Sequence, residues 1–258
     1  DAVLKPADVG AAIKGLVNAV ESGEISSEQI DASVQKILYW KARLNLHRNR
    51  FVDERRIPAA VGILEHKALA QKIADSSLTL LKNDGFFPVD FGKVKNIVHI
   101  SFQKKDVDNA PAVVAGKLVS AFPGLTTHYI RPYSADEVFD KILQSAKKAD
   151  LIIVSLFYQR LVYKDNGPLP EKEQRFLRRI MRLKSASTVI MSYGNPYHVQ
   201  TLDGATAFAV GYGEGGFYGN QTIYADSFIK LLKGEISPQG HLPIYVSDKY
   251  PVGSGIMY

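Results

Sequence analysis

The sequence predicts an α/β protein: a three-layer αβα sandwich whose mostly parallel sheet carries helices on both faces. Two observations predict it. Short apolar runs alternate with amphipathic helical segments over most of the 258 residues. The most apolar run, LIIVSLF from Leu151 to Phe157, reads as a strand buried on both faces. Neighbouring parallel strands need crossover connections, and the intervening helical segments supply them.

Val9, Ala12, Ile13, Leu16, Val17 and Val20 recur at helical spacing, with Asp8 placed to cap this helix and Gly23 to end it. A second helix starts at Ser26, where Ser26 and Gln29 form a capping-box pattern, and its periodicity turns Ile30, Val34, Ile37, Leu38 and Leu44 inward. The polar, basic stretch from Asn45 to Arg56 has no clean periodicity and reads as a connector. Two packed units are expected on either side, residues 1–47 and 61–258, joined by a linker over 48–60. A helix with Val61, Leu64, Ala68, Leu69 and Ile73 on one face leads into a first strand from Ser77 to Lys82. Next come a strand near Asn96, a helix from Ala110 to Phe122, a strand near Thr127, a helix from Ala135 to Lys148 and the Leu151 to Phe157 strand. A basic helix from Glu171 to Lys184, strands from Ser187 to Tyr193 and from Thr206 to Val210, a helix from Gln221 to Lys233 and one short closing strand complete the order.

Composition narrows the function classes. With 46% hydrophobic and 22% charged residues the chain has ordinary globular composition, and no apolar run approaches the roughly 18 residues of a membrane span. The absence of cysteine excludes disulfide frameworks, thiolate metal sites and cysteine nucleophiles. The formal charge of +6 raises the question of nucleic acid, but its distribution argues against that partner. Arg175, Arg178, Arg179 and Arg182 share one face of the basic helix while Phe176, Leu177, Ile180 and Met181 share the other, as a solvated amphipathic helix requires. His47, His66, His99, His128, His198 and His241 show neither HExxH nor paired ligand spacing. No serine lies in a G-x-S-x-G elbow. No metal and no cofactor are expected.

In such sheets ligands bind where loops converge at the carboxyl ends of the strands. Three loops qualify: Tyr158 to Pro170, Gly194 to His198 and Gly211 to Asn220. Gln159, Arg160 and Asp165 in the first are sugar-contact or domain-interface candidates, because an amide and a planar guanidinium suit hydroxyls and carboxylates. In the second, Asn195 and Tyr197 flank Pro196 in a turn whose expected role is structural. In the third, Gly211, Gly213 and Gly216 satisfy G-x-G-x-x-G. A dinucleotide fingerprint belongs to the first strand and turn of its domain, so this one reads as a tight structural turn; Glu214 within it is a further interface or substrate candidate.

Five motifs then resemble one family in order. The opening KPAD, the turn Gly23 to Ile25 and the helix IDASVQKILYWK resemble the end of the barrel of family 3 glycoside hydrolases. HKALAQKIADSSLTLLKND, LPEKEQRFL, SYGNPYHV and LLKGEISPQGHLPIYV are similar to successive signatures of that family's C-terminal α/β domain. The resemblance implies that residues 1–47 are the last helices of a truncated (β/α)8 barrel, with the hydrolytic Asp nucleophile on barrel sequence upstream. It also implies retaining chemistry with two catalytic groups, a carbohydrate substrate for the parent enzyme, and no catalytic residue in this chain. YQRLVYKDNGPLPEKEQ contains no Glu before Leu169, where the β-glucosidase branch carries its proton donor, which favours a β-N-acetylhexosaminidase-like parent. Glu171 and Glu173 open a helix, where acids favour the macrodipole. A β-glucosidase-type parent and a stand-alone carbohydrate- or nucleotide-binding module remain as alternatives. Helices made to pack against a barrel should leave an apolar patch exposed, or bury it in a dimer.

Overall fold

The computed structural model describes residues 1–103, 109–158, 169–213 and 223–258. The chain forms two compact units, Asp1–Ile63 and Leu64–Tyr258.

The first unit is helical. α1 (Val9–Glu21) begins where the Asp8 carboxylate accepts the Ala11 N–H at 2.9 Å, and Gly23 follows it in the left-handed region at φ 77°. α2 (Ser27–Arg43) is capped by the Ser26 hydroxyl on the Gln29 N–H. A 3₁₀ turn at Glu54–Arg56 and a short helix α3 (Ile57–Ala60) lie in the stretch read as connector. Neither α1 nor α2 buries a residue. Periodicity turned Ile30, Val34, Ile37, Leu38 and Leu44 inward, yet only Ile30 is half-buried and Leu38 and Leu44 are 56% and 65% exposed. A helical repeat identifies an apolar face but not whether its partner lies on the same chain.

The second unit is the sandwich. Its six-stranded sheet has the order β1-β6-β5-β4-β2-β3, from β1 (Thr79–Asn83), β2 (Ile97–Gln103), β3 (Thr126–Ile130), β4 (Leu151–Phe157), β5 (Ser187–Tyr193) and β6 (Ala207–Gly211). β2, β3, β4, β5 and β6 are mutually parallel, whereas β1 pairs antiparallel with β6 and carries a register shift between Leu80 and Lys82. The crossovers are α5 (Ala110–Ala121) between β2 and β3, α6 (Asp136–Ala146) between β3 and β4, and α7 (Glu171–Met181) between β4 and β5. α4 (Leu64–Ser77) precedes β1 and α8 (Ile223–Lys233) follows β6.

Strand alternation divides the core in two. Ile152, Val154 and Leu156 face Phe139, Ile142, Phe176 and Ile180 of α6 and α7. Leu151, Ile153 and Phe157 face Ala74 of α4, Val114 and Leu118 of α5, and Phe228 and Leu231 of α8. β4 is therefore buried throughout, as its unbroken apolar run requires.

Two expectations are corrected. The apolar stripe of α4 is exposed, with Val61 outside the helix and Leu69 and Ile73 both facing solvent. α4 instead docks through buried Ala74 and the polar groups beside it: Asp75 accepts from Lys230 and Ser227 at 2.6 Å, while Gln71 donates to Asp75 at 2.8 Å and to Ser227 at 2.9 Å. No strand follows α8 among the described residues. The terminal segment instead runs beside β1, through Gly240 N–H to Leu78 O and Ile256 N–H to Leu80 O.

Candidate functional site

The chain leaves β2 to one side for β3 and returns to the other side for β4, so the topological switch lies between β2 and β4. At the carboxyl ends of β4 and β5 a cluster of polar groups is buried: Tyr158, Glu173, Ser192, Asn195 and His198.

Tyr158 follows β4 directly, and its hydroxyl donates to Glu173 Oε2 at 2.6 Å. Glu173 sits in the first turn of α7, on the face that buries Phe176, Leu177 and Ile180. Burial pushes its carboxyl above the ordinary value of 4.5, against the opposing pull of the Tyr158 hydrogen bond and the Lys172 charge. Burial, with the neighbouring Glu173 charge, also raises the Tyr158 phenol. The next residue of α7, Gln174, donates to the Leu169 carbonyl at 2.6 Å.

The loop after β5 is a 3₁₀ helix, Pro196–Gln200, capped by Asn195. Asn195 Oδ1 accepts the Tyr197 N–H at 3.0 Å, which fixes the amide so that Nδ2 faces His198 Nε2 at 3.3 Å. Nδ2 can only donate, so Nε2 accepts and the imidazole proton resides on Nδ1. Ser192 Oγ, 3.3 Å from that Nδ1, donates its own hydrogen bond to the Asn195 backbone carbonyl at 2.7 Å. Ser192, Asn195 and His198 thus form a ring of hydrogen bonds. The His198 imidazole meets the Tyr158 ring edge-on, centroids 6.1 Å apart, and Phe157 stacks on Tyr193 at 4.7 Å. Each bond completed within the cluster fixes a loop stem.

The sequence candidates divide accordingly. Asn195 is buried and braces its turn, and Tyr197 is half-exposed beside it. Gln159, Arg160, Asp165 and Glu214 lie outside the described residues, as does Gly216. Gly211 ends β6 where an added Cβ would sit 2.6 Å from Tyr224 Cγ and 2.9 Å from Met191 Cε, and Gly213 has φ 136°. Close packing accounts for the first glycine, and β6 is two strands from the switch point. Glu173, read as a macrodipole acid, was the missed residue; it precedes Phe176, Leu177 and Ile180 by three, four and seven positions, the spacing of one helix face. Among the described residues no cluster of His, Asp or Glu has metal-ligating geometry, and no helix is long and apolar enough to cross a membrane.

No protein-family model matches the chain. A β-N-acetylglucosaminidase/β-glucosidase of Cellulomonas fimi is 21% identical over 235 residues, 87% of this chain and 40% of that protein. A solved glycoside hydrolase family 3 β-N-acetylglucosaminidase from a Paenibacillus species superposes with a TM-score of 0.61 at 19% identity, over 96% of this chain and 44% of its own. The fold is that of a family 3 glycoside hydrolase C-terminal domain. A Listeria innocua β-glucosidase matches this family 3 fold with a TM-score of 0.68 at 17% identity, over 94% of this chain and 41% of its own. The chain spans less than half the length of each of these relatives. The motifs that resemble family 3 also acquire physical reasons. In LLKGEISPQGHLPIYV, Gly234 ends α8 at φ 70°, and Gly240 lies so close to β1 that a Cβ would collide with the Ser77 carbonyl and the Thr79 hydroxyl. In SYGNPYHV, the serine, asparagine and histidine are the closed hydrogen-bond ring.

Proposed function

We infer that this chain is the C-terminal accessory domain of a family 3 glycoside hydrolase, bracing the sugar pocket of a barrel domain and not hydrolysing glycosides by itself. The observation that carries this reading is coverage: relatives named as glycosidases align with nearly the whole chain, while more than half of each lies outside the match. The chemistry agrees. Retaining hydrolysis uses two carboxyl groups about 5–5.5 Å apart, and Glu173, the one buried carboxylate among the described residues, is occupied by Tyr158. Residues 1–47 are then the last helices of the barrel, and Gln159, Arg160, Asp165, Asn195, Tyr197 and Glu214 are the positions from which the domain meets the barrel or the sugar.

The parent is read as β-N-acetylhexosaminidase-like, because no Glu lies between Tyr158 and Leu169 to serve as a donor from this domain. A β-glucosidase-type parent is the second reading, favoured by the higher TM-score of the β-glucosidase superposition, 0.68 against 0.61. The test is to assay a barrel-bearing parent, with and without this domain, on 4-nitrophenyl β-N-acetylglucosaminide and β-glucoside. Turnover that requires this domain and prefers the acetylated sugar is expected. Preference for the glucoside selects the second reading, and equal turnover without the domain contradicts the accessory role.

A further inference from the structure

After β3 the chain reverses through Arg131–Ser134, closed by the Ser134 N–H on the Arg131 carbonyl at 3.1 Å and by the Arg131 N–H on Ser134 Oγ at 3.0 Å. Pro132 occupies the second position and Tyr133 the third, at φ 66°. A proline followed by a left-handed residue is the pattern of a type II turn, whose third position glycine or asparagine fills without strain. A tyrosine there is strained, and it gains nothing from burial in return, for its relative exposure is 102%. The turn is held firmly. Lys172 of α7 donates to the Ser134 carbonyl at 2.9 Å, pairs with Asp136 at 2.8 Å and lies over the Phe139 ring at 4.6 Å. A strained, rigidly mounted and fully exposed aromatic ring is a preorganised contact for something outside the chain.

We propose that Tyr133 is a stacking platform for a pyranose ring of a glycan chain, an ancillary binding point at the outer edge of the sheet. This rests on the carbohydrate reading above. The surroundings select the ligand class. Tyr133 is the only large exposed apolar side chain between β3 and the end of α6, and its exposed sequence neighbours are Arg131, Asp136 and Glu137. A stable protein interface needs an apolar core of several such residues over roughly 800 Å² per partner. One ring amid hydrogen-bonding side chains instead matches one sugar, whose C–H face meets the aromatic face and whose rim of hydroxyls meets polar groups.

The test is calorimetric titration of the chain with chitohexaose and with cellohexaose, using Tyr133→Ala, Tyr133→Trp and Tyr133→Gly variants. At least one hexasaccharide should bind. Tyr133→Ala and Tyr133→Gly should weaken it tenfold or more, and Tyr133→Trp should retain it. Tyr133→Gly should also raise the melting temperature by relieving the left-handed strain, which separates lost contact from lost folding. Binding that survives in the Tyr133→Ala chain, or no binding of either hexasaccharide, overturns the proposal. A barrel-bearing parent with Tyr133→Ala should cleave a 4-nitrophenyl monosaccharide at the unsubstituted rate. Glycan binding through Tyr133 in a protein whose parent cleaves no glycoside would sink the family reading and leave this one standing.

Discussion

Glu173 and His99 are ionisable side chains whose charged forms burial disfavours, and each leaves a mark on stability against pH. Glu173 has its pKa raised in the folded chain, chiefly by burial. Its contribution is therefore complete below the ordinary value of 4.5 and is lost as pH rises through the folded value. Glu173→Gln abolishes the ionisation, so its stability relative to the native chain should improve as pH rises above 4.5, as denaturant titration at each pH will show. A difference that does not change with pH contradicts the burial. His99 lies in the middle of β2, with Nε2 2.9 Å from Ser155 Oγ and Nδ1 3.3 Å from Thr127 Oγ1. Burial, with the charge of nearby His128 added, pushes its pKa down from 6.5 to about 3. As pH falls below the ordinary value the unfolded chain takes up a proton that the folded chain refuses, costing about 1.4 kcal/mol per pH unit. His99→Gln should remove that slope between pH 6 and pH 4; an unchanged slope would assign it elsewhere. Neither residue was legible from type alone. His99 read as one of six isolated histidines and Glu173 as a helix-opening acid, although the spacing of Glu173 to Phe176 and Ile180 already placed it on the buried face.

At the level of elements, what could be read depended on whether a segment's partner was implied by its own pattern. β4 and β5 fall where the apolar runs end, since a strand buried on both faces writes its limits in sequence. The pairing of β1 was not legible, because an edge strand of five residues reads alike in either direction. The polar contact of α4 with α8 was hidden for a related reason: the apolar stripe of α4 dominated its periodicity, and neither Gln71 nor Asp75 belongs to that stripe. Asp75→Ala should therefore destabilise the chain by about 1–3 kcal/mol, by leaving partly buried Lys230 and Gln71 short of an acceptor, whereas Ile73→Ala on the exposed stripe should fall within about 0.5 kcal/mol of native. Equal losses for the two would reverse the assignment of faces. Gly240→Ala should cost about 1–3 kcal/mol through overpacking against β1, with thermal melting as the measurement.

Over the whole chain, apolar surface left uncovered says as much as the core. Val9, Ile13 and Val17 of α1, and Val34 and Leu38 of α2, are exposed on helices that bury nothing. Such faces bind a partner or another copy, so the chain should either bind a hydrophobic dye or sediment as a dimer, and a monomer silent to the dye contradicts this. The family 3 fold was legible in the sequence because its motifs mark turns, caps and close approaches, at Gly234, Gly240 and Asn195. The role proposed for the domain was less so, since a domain that braced a pocket would carry the geometry of a site without its reacting groups. Hydrolysis by the purified chain decides that role most directly. On 4-nitrophenyl β-N-acetylglucosaminide and β-glucoside the chain alone should show no turnover above buffer; turnover that disappears when Glu173 is replaced by Gln would contradict the account.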